Sequence, residues 1–409
     1  MTALLATARL ITNSLRLDAL NVNLPGDVDW PPIEAIGGWP ALLTHADAHS
    51  LTPLLFATWR EADILDQVPR ESRERMAKTL RDNALRQANV CAELLEIDSI
   101  LDAAGVPHIV LKGWPLAERL YADPAHRVIY DHDFLVPADK AEIGHQALLA
   151  AGFRRLPAKD EWIEKHLPSV WRNDGYQWNG YLFDPHYPRP VELHLQLWET
   201  GWRGLGVRPL PNIWADGQTV VVAGRPMLTL SHENTAIHLS MHFAGHLIER
   251  EARLNQLLDL ARFVHQVPDL NWDKITGRAA AAGVGRFLFA SLFLAHEIFA
   301  SPLPPAPAWK ELEREAPLAF REWLIENGVE DVLTSSCRQR RKGQDYQLTF
   351  LAARSIFERL GIIRFAALPP AGQLMVKYNL RHRWLTLLLY PRYLAERLGA
   401  YGRALLTKN

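Results

Sequence analysis

The sequence predicts an α+β protein, in which a small α/β core with a mixed sheet is embedded between mainly helical N- and C-terminal regions. Three observations lead there. Apolar residues recur at helical spacing along most of the first 104 residues. The texture changes at His108, where short β-branched runs alternate with short helical ones until about Leu197. From Ser231 the helical period returns and persists to the C-terminus. The length of 409 residues is more than one compact core holds, so several units are expected: 1–104, 105–200, 201–300 and 301–409.

The elements follow in order. Proline patches near Pro25 and Pro31 mark loops, while Trp39–His49 and Pro53–Arg60 carry helical spacing. Glu71–Ala104 is rich in Ala, Leu, Arg and Glu and reads as one long helix that Gly105-Val-Pro107 ends. His108–Lys112 predicts a buried strand, Trp114–Ala122 a helix, and Val128–Val136 a second strand. Pro137-Ala-Asp139 starts a helix that Gly152 stops. Phe153–Leu156, Tyr176–Phe183 and Val191–Leu197 predict further strands. Ser231-His-Glu-Asn is a good helix start, with a Ser cap and an acid in the first turn. Leu257–Val264 continues the helical pattern. Proline clusters at 302–307 and 369–370 separate the last helices.

Composition narrows the class without naming a function. Hydrophobic residues make up 48% and charged ones 22%, and the net charge is −1. There is thus no global signal for nucleic-acid binding. No run of 18 apolar residues occurs, so no spanning helix is expected. The two cysteines, Cys91 and Cys337, match no metal or redox spacing. With no signal-peptide pattern at the start, the expectation is a cytoplasmic protein with reduced thiols. The charge is unevenly spread: Arg338–Asn409 holds 14 Lys or Arg against 3 Asp or Glu. Such a region either docks an acidic partner, a phosphate or a membrane face, or simply presents solvated basic helix faces.

The chemistry concentrates in Arg127-Val-Ile-Tyr-Asp131-His-Asp133-Phe-Leu-Val136. On a strand, residues i and i+2 point to one side, so Asp131 and Asp133 share a face. Two carboxylates so close repel unless a cation sits between them. Mg²⁺ suits that place, because it binds one or two carboxylates together with substrate phosphates. Glu192, in Val191-Glu-Leu-His194, is the candidate third acid, and His194 shares its face to orient a ligand or touch substrate. One strand earlier, Lys112-Gly113 supplies a cation and a backbone that a phosphate can approach. Arg127 is a second phosphate partner. A D-x-D pair alone is often a solvated strand end; the glycine corner before it and the acid strand after it argue for metal chemistry.

Leu111-Lys112-Gly113, Arg127-x-x-x-Asp131-x-Asp133-x-Leu-Val136 and Val191-Glu192-Leu-His194 together resemble the uncharacterised bacterial nucleotidyltransferase family of the polymerase-β-like nucleotidyltransferase superfamily. The likeness extends to Ala103-Ala-Gly-Val-Pro107, His242-x-x-x-His246 and Leu257-Leu-Asp259-Leu-Ala261. The resemblance implies a nucleotidyltransferase-like core at 105–200. It implies that Asp131, Asp133 and Glu192 hold two Mg²⁺ ions (Mn²⁺ is the substitute), that the donor is an NTP, by default ATP, and that pyrophosphate leaves. In the superfamily Ser usually follows the first glycine; here Trp114 does. Two other readings stay open: phosphoryl or glycosyl-phosphate transfer in a biosynthetic pathway, and a non-catalytic nucleotide- or partner-binding protein. The acceptor, whether small molecule, peptide or protein, is specified by none of these residues.

His238, His242 and His246 recur every four residues, placing three imidazoles on one helix stripe. The outer two stand about 12 Å apart, so they cannot share one ion. H-E-x-x-H is absent. The expected role is a helix lining the cleft, with His242, His246 and Asp259 as substrate contacts and Arg253 nearby. Trp162, Trp171 and Trp178 are candidates for an acceptor pocket or for packing.

Overall fold

The computed structural model describes residues 2–17, 33, 37–156, 165–173, 175–335 and 344–406. Pro25, Pro31, Trp162, Cys337 and the basic run 338–342 lie outside them. The chain opens with α1 (Thr2–Asn13), α2 (Gly38–Ala48), α3 (Thr52–Glu61) and the long α4 (Arg70–Ala103). The core follows: β1 (Ile109–Val110), α5 (Trp114–Leu120), β2 (His132–Leu135), α6 (Ala141–Ala150), β3 (Arg154–Arg155), β4 (Val170–Trp171) and β5 (Val191–His194). A hairpin, β6 (Gln218–Val222) and β7 (Arg225–Thr229), leads into α7 (His232–Ile248), α8 (Leu254–Gln266), α9 (Trp272–Ala282) and α10 (Gly285–Phe299). The remainder is α11 (Ala306–Glu315), α12 (Leu318–Trp323), α13 (Val329–Thr334), α14 (Gln344–Leu351), α15 (Ile356–Ala367), α16 (Ala371–Lys377) and α17 (Thr386–Leu406). This is the α+β arrangement expected.

The described strands form one mixed seven-stranded sheet in the order β3-β4-β5-β2-β1-β7-β6. At its centre β2 runs antiparallel to β1 and parallel to β5, with Asp133 opposite Glu192 and Leu135 opposite His194. The sheet reaches past residue 200, because β7 pairs parallel with β1. The sequence reading missed this hairpin. Its outer strand alternates buried and exposed residues only weakly and ends in Ala223-Gly224, a turn of two residues with φ of +50 and +78.

Strand alternation sorts side chains between two cores. Val110, Phe134, Val191 and Leu193 enter a core with Leu94, Ile97 and Leu101 of α4 and Leu148 of α6. Ile109, Leu111 and Leu135 face the other way, into the large helical core with Leu116, Ile237 and Leu257. Asp133 has the parity of Leu135, and Glu192 and His194 have the parity opposite to Val191 and Leu193. The polar residues therefore face α7 and α8.

Two expected strands are corrected. Val128–Val136 pairs only over His132–Leu135. The preceding backbone is extended, but its carbonyls are taken by the buried polar face of α4. Asn83 Nδ2 donates to Ala125 O (2.6 Å) and Arg127 O (3.3 Å), Gln87 Nε2 donates to Arg127 O, and Arg86 Nε donates to Ile129 O (3.0 Å). These bonds take carbonyls that a partner strand would otherwise use. Tyr176–Phe183 is a loop. Asp184 organises it, accepting from Tyr176 Oη (2.9 Å), Asn179 Nδ2 (2.7 Å) and His186 N (2.8 Å). These local bonds replace a sheet ladder. The helix expected from Pro137 starts at Ala141, after a turn.

Candidate active site

The β1–α5 corner turns at Gly113, whose φ of +78 is one an L side chain rarely adopts. A Cβ there would meet nothing closer than 3.8 Å, so the backbone angle, not lack of space, requires glycine. The turn carries Lys112 back over the end of β2. Its Nζ lies 2.7 Å from Asp133 Oδ2 and 3.4 Å from Asp131 Oδ2. Burial opposes a charged ammonium there, but Asp131 and Asp133 more than reverse it and raise the Lys112 pKa.

Across β2, the register sets Asp133 beside Glu192. His194 Nε2 lies 2.9 Å from Asp133 Oδ1 and 3.3 Å from Glu192 Oε2. A donor atom from each of Asp133, Glu192 and His194 falls within 4.8 Å of the others. Burial pushes the Asp133 carboxyl up, yet Lys112 and His194 hold it well below the usual range. Glu192 is likewise lowered, by its bond to His194 against the burial effect. Asp131 stands apart from this trio. It sits one residue before β2, keeps 35% side-chain exposure and reaches the others through Lys112. Desolvation and repulsion from Asp133 raise its carboxyl.

His166, which sequence reading missed, approaches Glu192 Oε2 at 3.5 Å and packs edge-on to His194 with ring centres 5.3 Å apart. An isolated antiparallel bridge to His194 places it. A lone histidine before Leu-Pro gives no local sign of this.

Lys112, Asp131 and Glu192 of this cluster open onto a cavity of about 1130 Å³ between the core and α7–α8, with Asp133 and His194 buried behind them. Lys112, Gly113, Asp131 and Glu192 line one end; His242, His246, Arg253 and Asp259 line the helical wall. Trp171, Tyr176, Trp178 and Tyr187 form an aromatic wall. His238 is buried behind the lining, with no hydrogen-bond partner on either ring nitrogen. Burial and the nearby Lys112 charge lower its pKa to about 3. Further along α7, His246 comes together with Glu249 and Glu251 and packs edge-on to His242, with ring centres 4.8 Å apart.

Arg127 lines the cavity, but its guanidinium is already engaged. Nε and Nη2 donate to Asp259 at 3.0 and 2.8 Å, and Nη1 donates to Gly113 O at 3.2 Å. Tyr121 Oη adds a 2.7 Å bond to the same carboxylate. Arg127 and Asp259 thus tie α8 to the Gly113 corner. On the opposite face of β2, His132 and Arg189 converge on Glu93 of α4.

A sequence model of a family described as uncharacterised nucleotidyltransferase matches residues 37–300, which include every site residue named above. No curated protein and no solved structure matches the chain.

Proposed function

The match spans well over half of the chain, so the chain belongs to the uncharacterised nucleotidyltransferase family, and from that premise we propose Mg²⁺-dependent transfer of a nucleoside monophosphate from an NTP to an acceptor, with release of pyrophosphate. The observation that carries the reading is the register of Asp133 against Glu192, with His194 bonded to both, beside a cavity that Lys112, Gly113, Asp131 and Glu192 line.

The residues fit a divalent cation. Carboxylate oxygens are the donors that Mg²⁺ and Mn²⁺ prefer, and Asp133 and Glu192 present theirs within 4.8 Å. Asp131 is the further donor at the strand end. When bound, such an ion neutralises phosphate charge and lowers the pKa of an attacking hydroxyl. His194 is a positioning residue: its single Nε2 holds the two carboxylates at a fixed spacing. Lys112 binds the triphosphate as its partner charge, and the Gly113 corner admits it to the backbone. The acceptor oxygen bonds to the α-phosphorus as the bond to the β-phosphate oxygen breaks. We propose the polymerase-β-like superfamily for the chain on its motif spacing, with ATP the first donor to test.

The decisive measurement is nucleotide binding with and without Mn²⁺ or Mg²⁺, by calorimetry, together with pyrophosphate release. The wild type binds an NTP only with the metal, and Asp131→Asn/Asp133→Asn loses that binding while keeping its fold by circular dichroism. Metal-independent binding, or equal metal-dependent binding by the double variant, overturns the assignment.

A further inference from the structure

Sixteen large apolar side chains stand exposed among the described residues, and nine of them fall between Ile356 and Leu394. On α15, Ile356, Phe357, Leu360 and Ile363 recur at helical spacing and make one outward stripe, with Phe357 81% exposed. The opposite side of α15 is fixed to the body of the protein. Ile362 is buried, and Glu358 bonds Arg286 Nη1 and Nη2 at 2.9 and 3.0 Å. Gly361 also meets the backbone of Gly204 so closely that a Cβ on either would clash. The apolar side therefore cannot turn inward. A second patch precedes and enters α17, where Trp384, Leu387 and Leu388 are each more than 60% exposed. α17 packs against α15.

Charge accompanies the apolar surface. Arg359 and Arg364 lie on α15, and Arg381 and Arg383 lead into Trp384. All four are exposed, and none pairs with an acid among the described residues. Only two acids occur between 356 and 397. Glu358 points inward, and Glu396 is taken by Lys377 and Arg392 at 2.8 and 3.0 Å.

We propose that α15 to α17 dock peripherally on an anionic lipid surface. Aliphatic and Trp side chains beside unpaired arginines are the composition that enters the headgroup boundary and holds acidic lipids. None of the nine apolar residues lines the large cavity, so the patch is separate from the candidate active site. A second copy of the chain would bring the same positive surface against this one, which like-charge repulsion disfavours. Among the described residues no helix is long and apolar enough to cross a membrane, so the contact is with the surface.

The test is flotation of the full chain with vesicles of phosphatidylcholine alone and with an added anionic phospholipid such as phosphatidylglycerol. Wild type floats with the anionic vesicles and not the neutral ones, and added salt weakens it. One arginine near such a surface is worth roughly fivefold in partitioning, so Arg381→Gln/Arg383→Gln lowers it roughly twenty-five-fold. Leu387→Ser/Leu388→Ser and Phe357→Ser/Leu360→Ser also release the protein. These sites are exposed, so the variants keep the wild-type melting temperature. Failure to float, or flotation unchanged in the variants, overturns the proposal. So does a dimer in light scattering that Leu387→Ser/Leu388→Ser dissolves, or binding to polyglutamate without binding to vesicles. Nucleotide binding is read separately and is unaffected by these variants, so either proposal can fail without the other.

Discussion

At the scale of single residues, the site is held together by charges that answer one another. Lys112 lies where it neutralises Asp131 and Asp133. On the proposed function, a divalent cation competes with that ammonium until a triphosphate draws it away. Lys112→Met therefore binds Mn²⁺ more tightly in the absence of nucleotide, by roughly tenfold or more, which needs only about 1.4 kcal/mol. Its NTP affinity in the presence of Mn²⁺ falls. Electron paramagnetic resonance of free Mn²⁺ reads the first effect, and unchanged or weaker metal binding would contradict this role. Arg127 teaches a different lesson. Its sequence position beside the D-x-D strand suggests a phosphate contact, but the buried bidentate pair with Asp259 makes it a tie between α8 and the glycine corner. Asp259→Asn leaves a buried guanidinium poorly paired and costs about 3–5 kcal/mol in denaturant unfolding. The double change Arg127→Met/Asp259→Leu recovers much of it. A cost below about 1 kcal/mol, the surface-pair range, would mean that water reaches the pair. Asp131, Asp133 and Glu192 were legible because acids inside apolar strands are costly without a purpose. Arg127's partner was not, because it lies 132 residues away.

At the scale of elements, the helices were legible with their bounds, while the strands at 108–112, 128–136, 153–156 and 191–197 were legible in place but not in length. The long α4, the Ser231 cap and the proline breaks are local signals, and the structure places them within a residue or two of expectation. Strands need partners, and the partners here are unusual. The backbone before β2 is satisfied by Asn83, Arg86 and Gln87, three polar residues on a helix that periodicity alone reads as surface. β6 and β7 were missed although Thr219-Val-Val-Val222 is a β-branched run that ends in an Ala-Gly turn. The docking of α15 shows the same dependence on distant partners. Its keystone is Glu358, which receives Arg286, Gly206 N (2.9 Å) and Arg354 N (2.6 Å). Burial opposes its charge, but Arg286 and the backbone donors lower its pKa below the ordinary 4.5. A depressed carboxyl contributes stability that is present above its unfolded pKa and lost as pH falls. The wild type thus loses stability as the pH drops below 4.5, and Glu358→Gln flattens that part of the profile. Urea midpoints across pH 3 to 7 measure it; a profile identical in the variant would remove Glu358 from the acid response.

At the scale of the whole molecule, the sheet divides two cores and the cavity opens on only one of them. Even residues on one strand and odd residues on another face α7 and α8, so one register decides that the acids meet the helical wall and not α4. The volume of about 1130 Å³ exceeds the usual range for one small ligand, leaving room for an NTP and an acceptor together. The lining runs from Ala48 to Ser335, which is why no local sequence window contains it. On the proposed function, a nucleotide seated at Lys112 and the carboxylates also faces His242 and Asp259, which line the same cavity. Hydrogen exchange with Mn²⁺ and a non-hydrolysable NTP analogue therefore slows in two separated stretches, 111–136 and 242–259. At a hundred times its Kd, the ligand also adds about 2.7 kcal/mol to global stability. Slowing confined to 111–136 would place the nucleotide on the sheet alone and free the α7–α8 wall for the acceptor. Slowing confined to 242–259 would separate the nucleotide from Asp131 and Asp133, and with it the reason for reading those carboxylates as the centre of the reaction.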